Sequence, residues 1–230
     1  RLRHVDMIAF DKTGTLTLGK PVVKDILVLK GNRQTIIDQA VAIEQQSDHP
    51  LAQAITDLSA EKQLTPIDVK TVKGQGIQAT IADQEYRMGN QQLLADLIED
   101  DADLKEATTR LANAGNSLVI FASVDHSELA IFAIKDRLRP QTAQALQQLK
   151  QLGVKRLVML TGDNATTAQS IGKQTGVTEI KGDLMPQDKL DYIKSLKETY
   201  GKVAMVGDGI NDAPALAAST VGIAMGGAGT

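Results

Sequence analysis

Short apolar runs near both ends of the chain alternate with segments of helical periodicity. Residues 5–10 predict a buried strand that delivers Asp11 at its carboxyl end. After residue 136 the pattern predicts further strands at 157–160, 203–206 and 221–224 and helices at 142–152, 165–174, 186–199 and 213–218. Because strands and helices alternate, the two ends predict one α/β domain with a doubly wound, mainly parallel, Rossmann-like sheet.

The middle of the chain has a different pattern. Apolar residues follow helical spacing at 35–46 and 51–59, and strands are predicted at 67–72, 76–82, 84–88, 117–124 and 128–134. The last two strands flank a short polar turn, as in an antiparallel hairpin. We therefore expect an inserted α+β domain on an antiparallel sheet at 20–134, and an α/β domain formed by 1–19 and 135–230.

Composition narrows the classes of function. The chain has 230 residues, 42% of them hydrophobic and 23% charged, as in ordinary globular proteins, and its formal charge of -3 gives no basic surface for nucleic acid. The absence of cysteine excludes disulfides and thiolate metal sites. No run reaches the roughly 20 apolar residues of a membrane span, and residues 1–10 do not form a signal peptide. The abrupt ends predict a piece of a longer protein.

A polar motif follows the first predicted strand directly, and it reads Asp11-Lys12-Thr13-Gly14-Thr15-Leu16-Thr17. Taken alone, an aspartate at the end of a strand is most often a turn or capping residue. A carboxylate in this place can instead attack a γ-phosphoryl group, which divides one difficult hydrolysis into two easier steps. The small residues behind it allow backbone N–H groups to face the phosphate oxygens.

Two further segments follow predicted strands or open predicted helices. The segment Thr161-Gly162-Asp163-Asn164 places a hydroxyl and helix-start N–H groups where they can bind phosphate, although Asp163 or Asn164 alone would be read as a helix cap. Lys189 lies in the first turn of a helix that begins at Pro186, where the helix dipole disfavours a cation. Taken alone, most lysines at a protein surface have no functional role.

An acidic motif follows the strand at 203–206. Asp208 and Asp212 are four residues apart, with Asn211 between them, and two carboxylates at this spacing can reach one hard cation such as Mg²⁺. A glycine-rich turn alone does not explain two acids and an amide packed together. The segment that begins at Asp136 re-enters the α/β domain, and it is read either as an element that orders the phosphate loop or as a polar linker.

These motifs resemble the cytosolic catalytic unit of P-type ATPases, which belong to the haloacid dehalogenase-like superfamily. The resemblance implies that Asp11 is phosphorylated and that Mg²⁺ is held by Asp11, the Thr13 carbonyl and Asp208. It implies that Lys189 neutralises the charge of the nucleophile and of the incoming phosphate. The implied catalytic residues are Asp11, Lys12, Thr13, Thr161, Gly162, Asp163, Lys189, Asn211 and Asp212.

The pair His49-Pro50 resembles the motif of the heavy-metal-transporting branch, in which the imidazole orients ATP. Glycines without side chains permit close approach to a nucleotide, although glycines are also common in turns. With three Phe, three Tyr and no Trp, extensive aromatic stacking on adenine is not expected. The implied ATP pocket comprises Glu44, His49, Gly74, Gly76, Ile77, Gly89 and Asn90.

The resemblance also implies partners and a location. The partners are ATP, the transmembrane and actuator domains of the same pump, and a heavy-metal ion bound elsewhere, and the expected location is the cytoplasmic face of a membrane. Residues 155–157 and 224–230 are more similar to zinc, cadmium or cobalt exporters than to copper exporters.

Two alternatives remain at this point. A free-standing phosphatase of the same superfamily would keep an aspartate two residues after the nucleophile as general acid and base, and Thr13 cannot fill that role at neutral pH. A silent nucleotide-binding regulator would not need Asp11, Lys189 and Asp208 together. The residues therefore favour an ATP-dependent, long-lived phosphoenzyme.

Overall fold

A computed structural model describes residues 5–209 and 212–225 of the chain. The chain forms two compact units. The first, which we call the discontinuous unit, consists of Arg1–Lys20 and Asp136–Thr230, and the second, the inserted unit, consists of Pro21–Lys135. The described helices include none with the length and apolarity that crossing a bilayer requires.

Strands and helices alternate in the discontinuous unit, and the strands and helices of the inserted unit lie between the first strand and the first α-helix of the discontinuous unit. In chain order they are β1 (Met7–Asp11), β2 (Val22–Lys30), α1 (Arg33–Glu44), α2 (Ala52–Thr56), β3 (Ile67–Val72), β4 (Gly76–Ile81), β5 (Gln84–Gly89), α3 (Ala95–Asp100), α4 (Ala102–Asn113), β6 (Ser117–Ser123), β7 (Leu129–Lys135), α5 (Thr142–Gln151), β8 (Arg156–Leu160), α6 (Ala165–Thr175), β9 (Glu179–Lys181), α7 (Pro186–Tyr200), β10 (Val203–Gly207), α8 (Ala213–Ala218) and β11 (Val221–Ala224).

The discontinuous unit is built on a parallel sheet with the strand order β11-β10-β1-β8-β9. Side chains of β1 alternate between two apolar clusters: Ile8 and Phe10 pack with α5 and α6, whereas Met7 and Ala9 pack with α7 and α8. A strand covered by helices on both faces must be apolar on both, which explains the unbroken apolar run before Asp11. The expected doubly wound parallel sheet is confirmed.

The register of this sheet brings three carboxyl strand ends together. Asp11 pairs with Leu160 of β8, and Phe10 pairs with Val206 of β10. The residues that follow the two flanking strands therefore lie on either side of Asp11 at one edge of the sheet. In open α/β sheets this edge is the usual position of a ligand site.

The inserted unit is built on an antiparallel sheet with the strand order β2-β7-β6-β5-β4-β3. Alternate residues of β6 point to opposite faces: Val119 and Phe121 pack against α1 and α2, whereas Leu118 and Ile120 pack against α3 and α4. Each face thus has its own apolar core. This confirms the expected α+β insertion.

Candidate active site

Asp11 is the last residue of β1, and only 4% of its surface is exposed. Nζ of Lys189 donates a hydrogen bond to its Oδ1 at 2.5 Å and lies 3.6 Å from Oδ1 of Asp212. Burial raises the pKa of the Asp11 carboxyl to about 7, while Lys189 acts in the opposite direction and Asp212 adds to the rise. One lysine therefore holds two buried carboxylates, and it favours the ionised, nucleophilic form of Asp11.

Lys189 is placed by the first turn of α7. Pro186 opens this helix, and the Asp188 carboxylate accepts the N–H of Met185 at 2.9 Å, so the turn is capped. Burial lowers the pKa of the Lys189 amine, but Asp11 and Asp212 outweigh it and the net shift is upward. The side chain is therefore a stable cation despite the unfavourable helix dipole, because two anions face it.

The loop after Asp11 makes a tight turn in which Gly14 has a positive φ of 75°. The Gly14 N–H donates to Oγ1 of Thr17 at 3.0 Å, and the Thr17 hydroxyl donates to the Asp136 carboxylate at 2.6 Å. Asp136 also accepts the N–H of Lys20 at 3.0 Å. The segment after the insertion thus contacts the loop that follows Asp11 directly, and the binding of phosphate by this loop stays a prediction.

Arg139 is a second support of this loop, and the sequence did not single it out. Its guanidinium donates to the carbonyl oxygens of Thr15 and Gly14, each at 3.0 Å. The Thr142 hydroxyl donates to the carbonyl of Leu16 at 2.9 Å. These contacts join residues far apart in the chain, and the only signal in the sequence was the position of Arg139 within the re-entry segment.

The segment after β8 lies beside the loop that follows Asp11. The Thr161 hydroxyl accepts the N–H of Asp163 at 3.1 Å, and Gly162 lies between them. Asn164, rather than Asp163, caps α6 by accepting the N–H of Thr167 at 2.9 Å. The Asp163 carboxylate instead forms a largely buried ion pair with Lys12. This pair links the second predicted phosphate segment to the first.

The acidic motif lies on the other side of Asp11. The N–H of Asp208 donates to Oδ2 of Asp212 at 3.3 Å, and Asp212 is 2% exposed. A Cβ atom placed on Gly14 would lie 3.4 Å from Cβ of Asp208, so Asp208 lies against the loop that carries Thr13. Asn211 and residues 226–230, which also entered the sequence predictions, lie outside the described residues.

The proposed Mg²⁺ donors form a consistent chemical set. Asp11, the Thr13 carbonyl and Asp208 offer only oxygen, and the contact between Asp208 and the Gly14 loop brings the flanking donor groups to one side of Asp11. Residues 5–209 and 212–225 contain no group of three or more His, Asp or Glu side chains placed to bind a metal. Two carboxylates and a backbone carbonyl are oxygen donors of the kind that Mg²⁺ prefers, so the chemistry of the donor set fits a magnesium ion, and the site itself stays a prediction.

In the inserted unit, four of the predicted nucleotide residues contact one another. Asn90 donates from its amide side chain to the Gly74 carbonyl at 2.9 Å and from its N–H to the Gln75 carbonyl at 2.8 Å. Gly76 and Gly89 face each other across β4 and β5. A Cβ atom on Gly76 would lie 2.3 Å from the Met88 carbonyl oxygen, so the strand contact alone already requires glycine.

We expect Gly76→Ala to destabilise the chain by about 3 kcal/mol, because the methyl group clashes with backbone atoms that cannot rotate away. Gly153→Ala is the matched control, since Gly153 also has a positive φ but no atom lies within 4 Å of an added Cβ. The Gly153→Ala variant reports only the free-energy cost of placing alanine at a positive φ, about 1 kcal/mol. Urea unfolding without nucleotide measures both, and equal losses would contradict the prediction.

The remaining nucleotide candidates lie on or near α1. Glu44 ends this helix, is 6% exposed, and its Oε2 has no hydrogen-bond partner among the described residues. Burial raises the pKa of Glu44 to about 7, against the effect of a hydrogen bond from Ser47. His49 is exposed, and its Nδ1 accepts the Leu51 N–H at 3.2 Å. Ile77 is buried in the core beneath these elements.

Glu44 gives the free energy of unfolding a specific dependence on pH. Because its pKa is about 7 in the fold and 4.5 in the unfolded chain, the folded state binds more protons between these values, and stability falls as pH rises through them. Glu44→Gln removes this loss. We expect the stability of the variant relative to wild type to increase by about 3 kcal/mol from about pH 4.5 to about pH 8.

Urea unfolding at a series of pH values, without nucleotide, measures this difference. The difference in the free energy of unfolding between Glu44→Gln and wild type at each pH reports Glu44 alone, because other titrating groups such as Asp11 are present in both chains. The exposed Glu61→Gln variant controls for the loss of one negative charge. Parallel pH curves for wild type and Glu44→Gln would show that the buried carboxyl does not change its protonation on folding.

Comparison with known proteins identifies similar sequences along nearly the whole chain. A family model for haloacid dehalogenase-like hydrolases matches residues 5–220. A probable cadmium-transporting ATPase of Alkalihalophilus pseudofirmus is 48% identical over 232 residues, which cover 97% of this chain and 32% of that protein. A zinc-transporting ATPase of Bacillus subtilis is 40% identical over 231 residues, covering 99% of this chain and 36% of that protein.

A solved structure gives a comparable match. The catalytic domain of the CPx-ATPase CopB-B, described for its conformational changes upon nucleotide binding, aligns with a TM-score of 0.67 and 29% identity. The alignment covers 98% of this chain and 82% of that one. The chain spans about a third of the length of the curated relatives it matches.

Proposed function

Because the chain belongs to the haloacid dehalogenase-like hydrolases, within the branch of heavy-metal P-type ATPases, we propose that it is the ATP-hydrolysing part of a metal-exporting membrane pump. The observation that carries this proposal is the buried cluster of Asp11, Lys189 and Asp212 at the carboxyl edge of the parallel sheet. It provides an ionisable nucleophile, a fixed cation and a second acid in one place. The relatives named as cadmium and zinc transporters support the type of cargo.

In the proposed reaction, a carboxylate oxygen of Asp11 attacks the γ-phosphorus of ATP. The new O–P bond forms as the bond to the β–γ bridging oxygen breaks, and ADP leaves with the electron pair of that bond. Lys189 keeps Asp11 ionised and offsets negative charge that accumulates on the transferred group. The products are ADP and an aspartyl-phosphate.

Asp11, the Thr13 carbonyl and Asp208 would hold Mg²⁺, which would supply charge neutralisation for the phosphate oxygens. The protein contributes the placement of these oxygen donors. Arg139 and Asp136 hold the loop that carries Thr13, and the Lys12–Asp163 pair links this loop to the segment after β8. The loop is therefore ordered on both sides before a phosphate arrives.

Thr13 accounts for a phosphoenzyme that persists. Water attacks an acyl-phosphate readily when a general base activates it, and the threonine side chain cannot act as that base at neutral pH. The intermediate therefore lasts long enough for a separate domain to use it. This favours a pump over the free-standing phosphatase considered from the sequence.

We assign the inserted unit to nucleotide binding, and the discontinuous unit to phosphorylation. Glu44, His49, Gly74, Gly76, Ile77, Gly89 and Asn90 would form the ATP pocket. The pump's own transmembrane and actuator domains would complete the protein. The 230-residue chain, with both of its units, would lie at the cytoplasmic face of the membrane. We propose zinc, cadmium or cobalt as the exported ion in preference to copper.

The whole pump, incubated with γ-labelled ATP and Mg²⁺, tests this function. We expect label that survives acid and is released by hydroxylamine, since hydroxylamine cleaves acyl-phosphates but not phosphate esters of serine or threonine. Label should decrease when excess unlabelled ATP is added, as the intermediate turns over. Label resistant to hydroxylamine would contradict the aspartyl-phosphate.

A further inference from the structure

Helix α1 carries three polar side chains in an otherwise apolar, buried stretch from Ile36 to Glu44. They are Asp38, Gln39 and Glu44, each less than one-tenth exposed. Asp38 accepts the Gln34 side-chain amide at 3.0 Å and the Glu61 N–H at 2.7 Å, which ties α1 to the loop after α2. A buried polar group requires such partners, so each of the three calls for an explanation.

Gln39 is held by a closed triad with Tyr86 and Glu128. Its Nε2 donates to the Tyr86 hydroxyl at 2.8 Å and to Oε2 of Glu128 at 3.2 Å, and the Tyr86 hydroxyl donates to the same Oε2 at 3.1 Å. The Tyr86 ring stacks on Phe121 with centroids 5.3 Å apart. The triad joins α1 to β5 and to the turn before β7.

Glu128 also fixes the start of α1. The chain passes beneath it at Gly31, where an added Cβ would lie 3.2 Å from Cγ of Glu128. The next residue, Asn32, caps the helix by accepting the Thr35 N–H at 3.1 Å. Glu128 thus lies beside the chain that enters α1 and hydrogen-bonds to the middle of the helix through Gln39, so it is close to the helix at two heights.

We propose that the Gln39–Tyr86–Glu128 triad positions the nucleotide-binding groups of the inserted unit by setting the rotation and height of α1. The inference rests on the proposed function, because it concerns the same ATP pocket. Glu44 lies five residues after Gln39, about 7.5 Å further along the helix axis, and any rotation at Gln39 is transmitted to it. Among the described residues, two buried side-chain atoms of α1 have no hydrogen-bond partner, Oε1 of Gln39 and Oε2 of Glu44, and the second belongs to a predicted nucleotide-binding residue.

The other end of the triad leads to the same pocket. Tyr86 lies three residues before Gly89 on β5, and Asn90 follows directly. The Gln39–Tyr86 hydrogen bond therefore connects the two elements whose ends carry Glu44 and the Gly89–Asn90 pair. If the triad served stability alone, its loss would lower the melting temperature without changing ATP affinity.

Tyr86→Phe tests the proposal, since it removes the hydroxyl and keeps the stacked ring. In the 230-residue chain we expect the Kd for ATP to rise about fivefold, the effect of losing one net hydrogen bond that holds the site in shape. In a chain that already carries Glu44→Gln, the effect of Tyr86→Phe on the Kd should be clearly smaller than fivefold, because one of the groups that the triad positions is absent. Isothermal titration calorimetry measures the Kd of the variants that bind ATP tightly, and NMR titration measures the Kd of those that bind it weakly.

Thr108→Val is the matched control. Thr108 is 1% exposed and its hydroxyl donates to the Leu104 carbonyl at 2.9 Å, but it lies on α4, on the opposite face of the sheet. We expect it to lower the melting temperature as Tyr86→Phe does and to leave the Kd for ATP unchanged.

Two results would overturn the inference while leaving the function intact. One is a Tyr86→Phe chain with wild-type affinity for ATP, and the other is a fivefold effect that persists in full beside Glu44→Gln. A wild-type chain that bound no ATP would instead refute the proposed nucleotide site itself, and the triad's role with it.

Discussion

Asp11→Asn should abolish acid-stable labelling of the whole pump by γ-labelled ATP, with at least about a 1000-fold loss. The amide has nearly the same shape as the carboxylate, but its nitrogen lone pair is delocalised and its oxygen carries no charge, so it does not attack phosphorus. Burial of Asp11 already disfavours its ionised form, so a neutral amide is compatible with folding. The loss therefore reports chemistry, and the melting temperature of the variant checks this.

Asp6→Asn is the matched control for this substitution. Asp6 directly precedes β1 and its side chain is exposed, so the same chemical change occurs five residues away from the proposed nucleophile. We expect full labelling of this variant. Labelling that survived Asp11→Asn would refute the proposed nucleophile, whatever the control showed.

Lys189→Met should slow phosphoenzyme formation on the order of 100- to 1000-fold. The substitution keeps the length of the side chain and removes the cation that separates Asp11 from Asp212. Two buried carboxylates without a counter-charge favour protonation, and a protonated Asp11 is a poor nucleophile. The rate of label incorporation, measured by rapid quenching, gives the effect.

Lys194→Met controls for the loss of a lysine from the same helix, because Lys194 lies on the exposed side of α7. Its labelling rate should equal that of wild type. A Lys189→Met pump with a normal rate and weaker ATP binding would mean that the lysine binds nucleotide without assisting the transfer.

The central elements of the parallel sheet could be predicted because each is apolar along its whole length. β1, β8 and β10 are covered by helices on both faces, so they appear in the sequence as apolar runs that end at a polar residue or a glycine, namely Asp11, Thr161 and Gly207. The resemblance to heavy-metal P-type ATPases, inferred from the motifs, is confirmed. The roles given to individual residues of the site stay predictions.

Three elements of the inserted unit, β2, α3 and α4, were not among the predicted ones. β2 is an edge strand that carries Lys24, Asp25 and Lys30, and most of its side chains are partly or fully exposed, so it has no clean alternation. α3 and α4 are separated only by Asp101, which caps the second helix. α3 has only six residues and one buried side chain, Leu97, which is too little for a periodic signal, whereas α4 buries Leu104, Ala107 and Leu111 at helical spacing, a signal that was present in the sequence.

The contacts that hold the loops of the site in place could not be predicted from the sequence for a different reason. Thr17 and Asp136 are 119 residues apart, and Lys12 and Asp163 are 151 residues apart, so no local pattern relates them. The sequence indicated which groups could bind phosphate because those groups stand in short motifs. It did not indicate which groups hold the motifs in place, since these contacts exist only after both chain ends have joined.

The order of strands in the parallel sheet has a consequence for biosynthesis. Within residues 5–209 and 212–225, β1 pairs only with β8 and β10, which begin at Arg156 and Val203, and the strands of the inserted unit pair only with one another. A ribosome that adds roughly 5–20 residues per second has therefore completed the inserted unit several seconds before β1 can find both partners. During this interval the nascent chain exposes the apolar β1 segment, which makes it a candidate substrate for ribosome-associated chaperones.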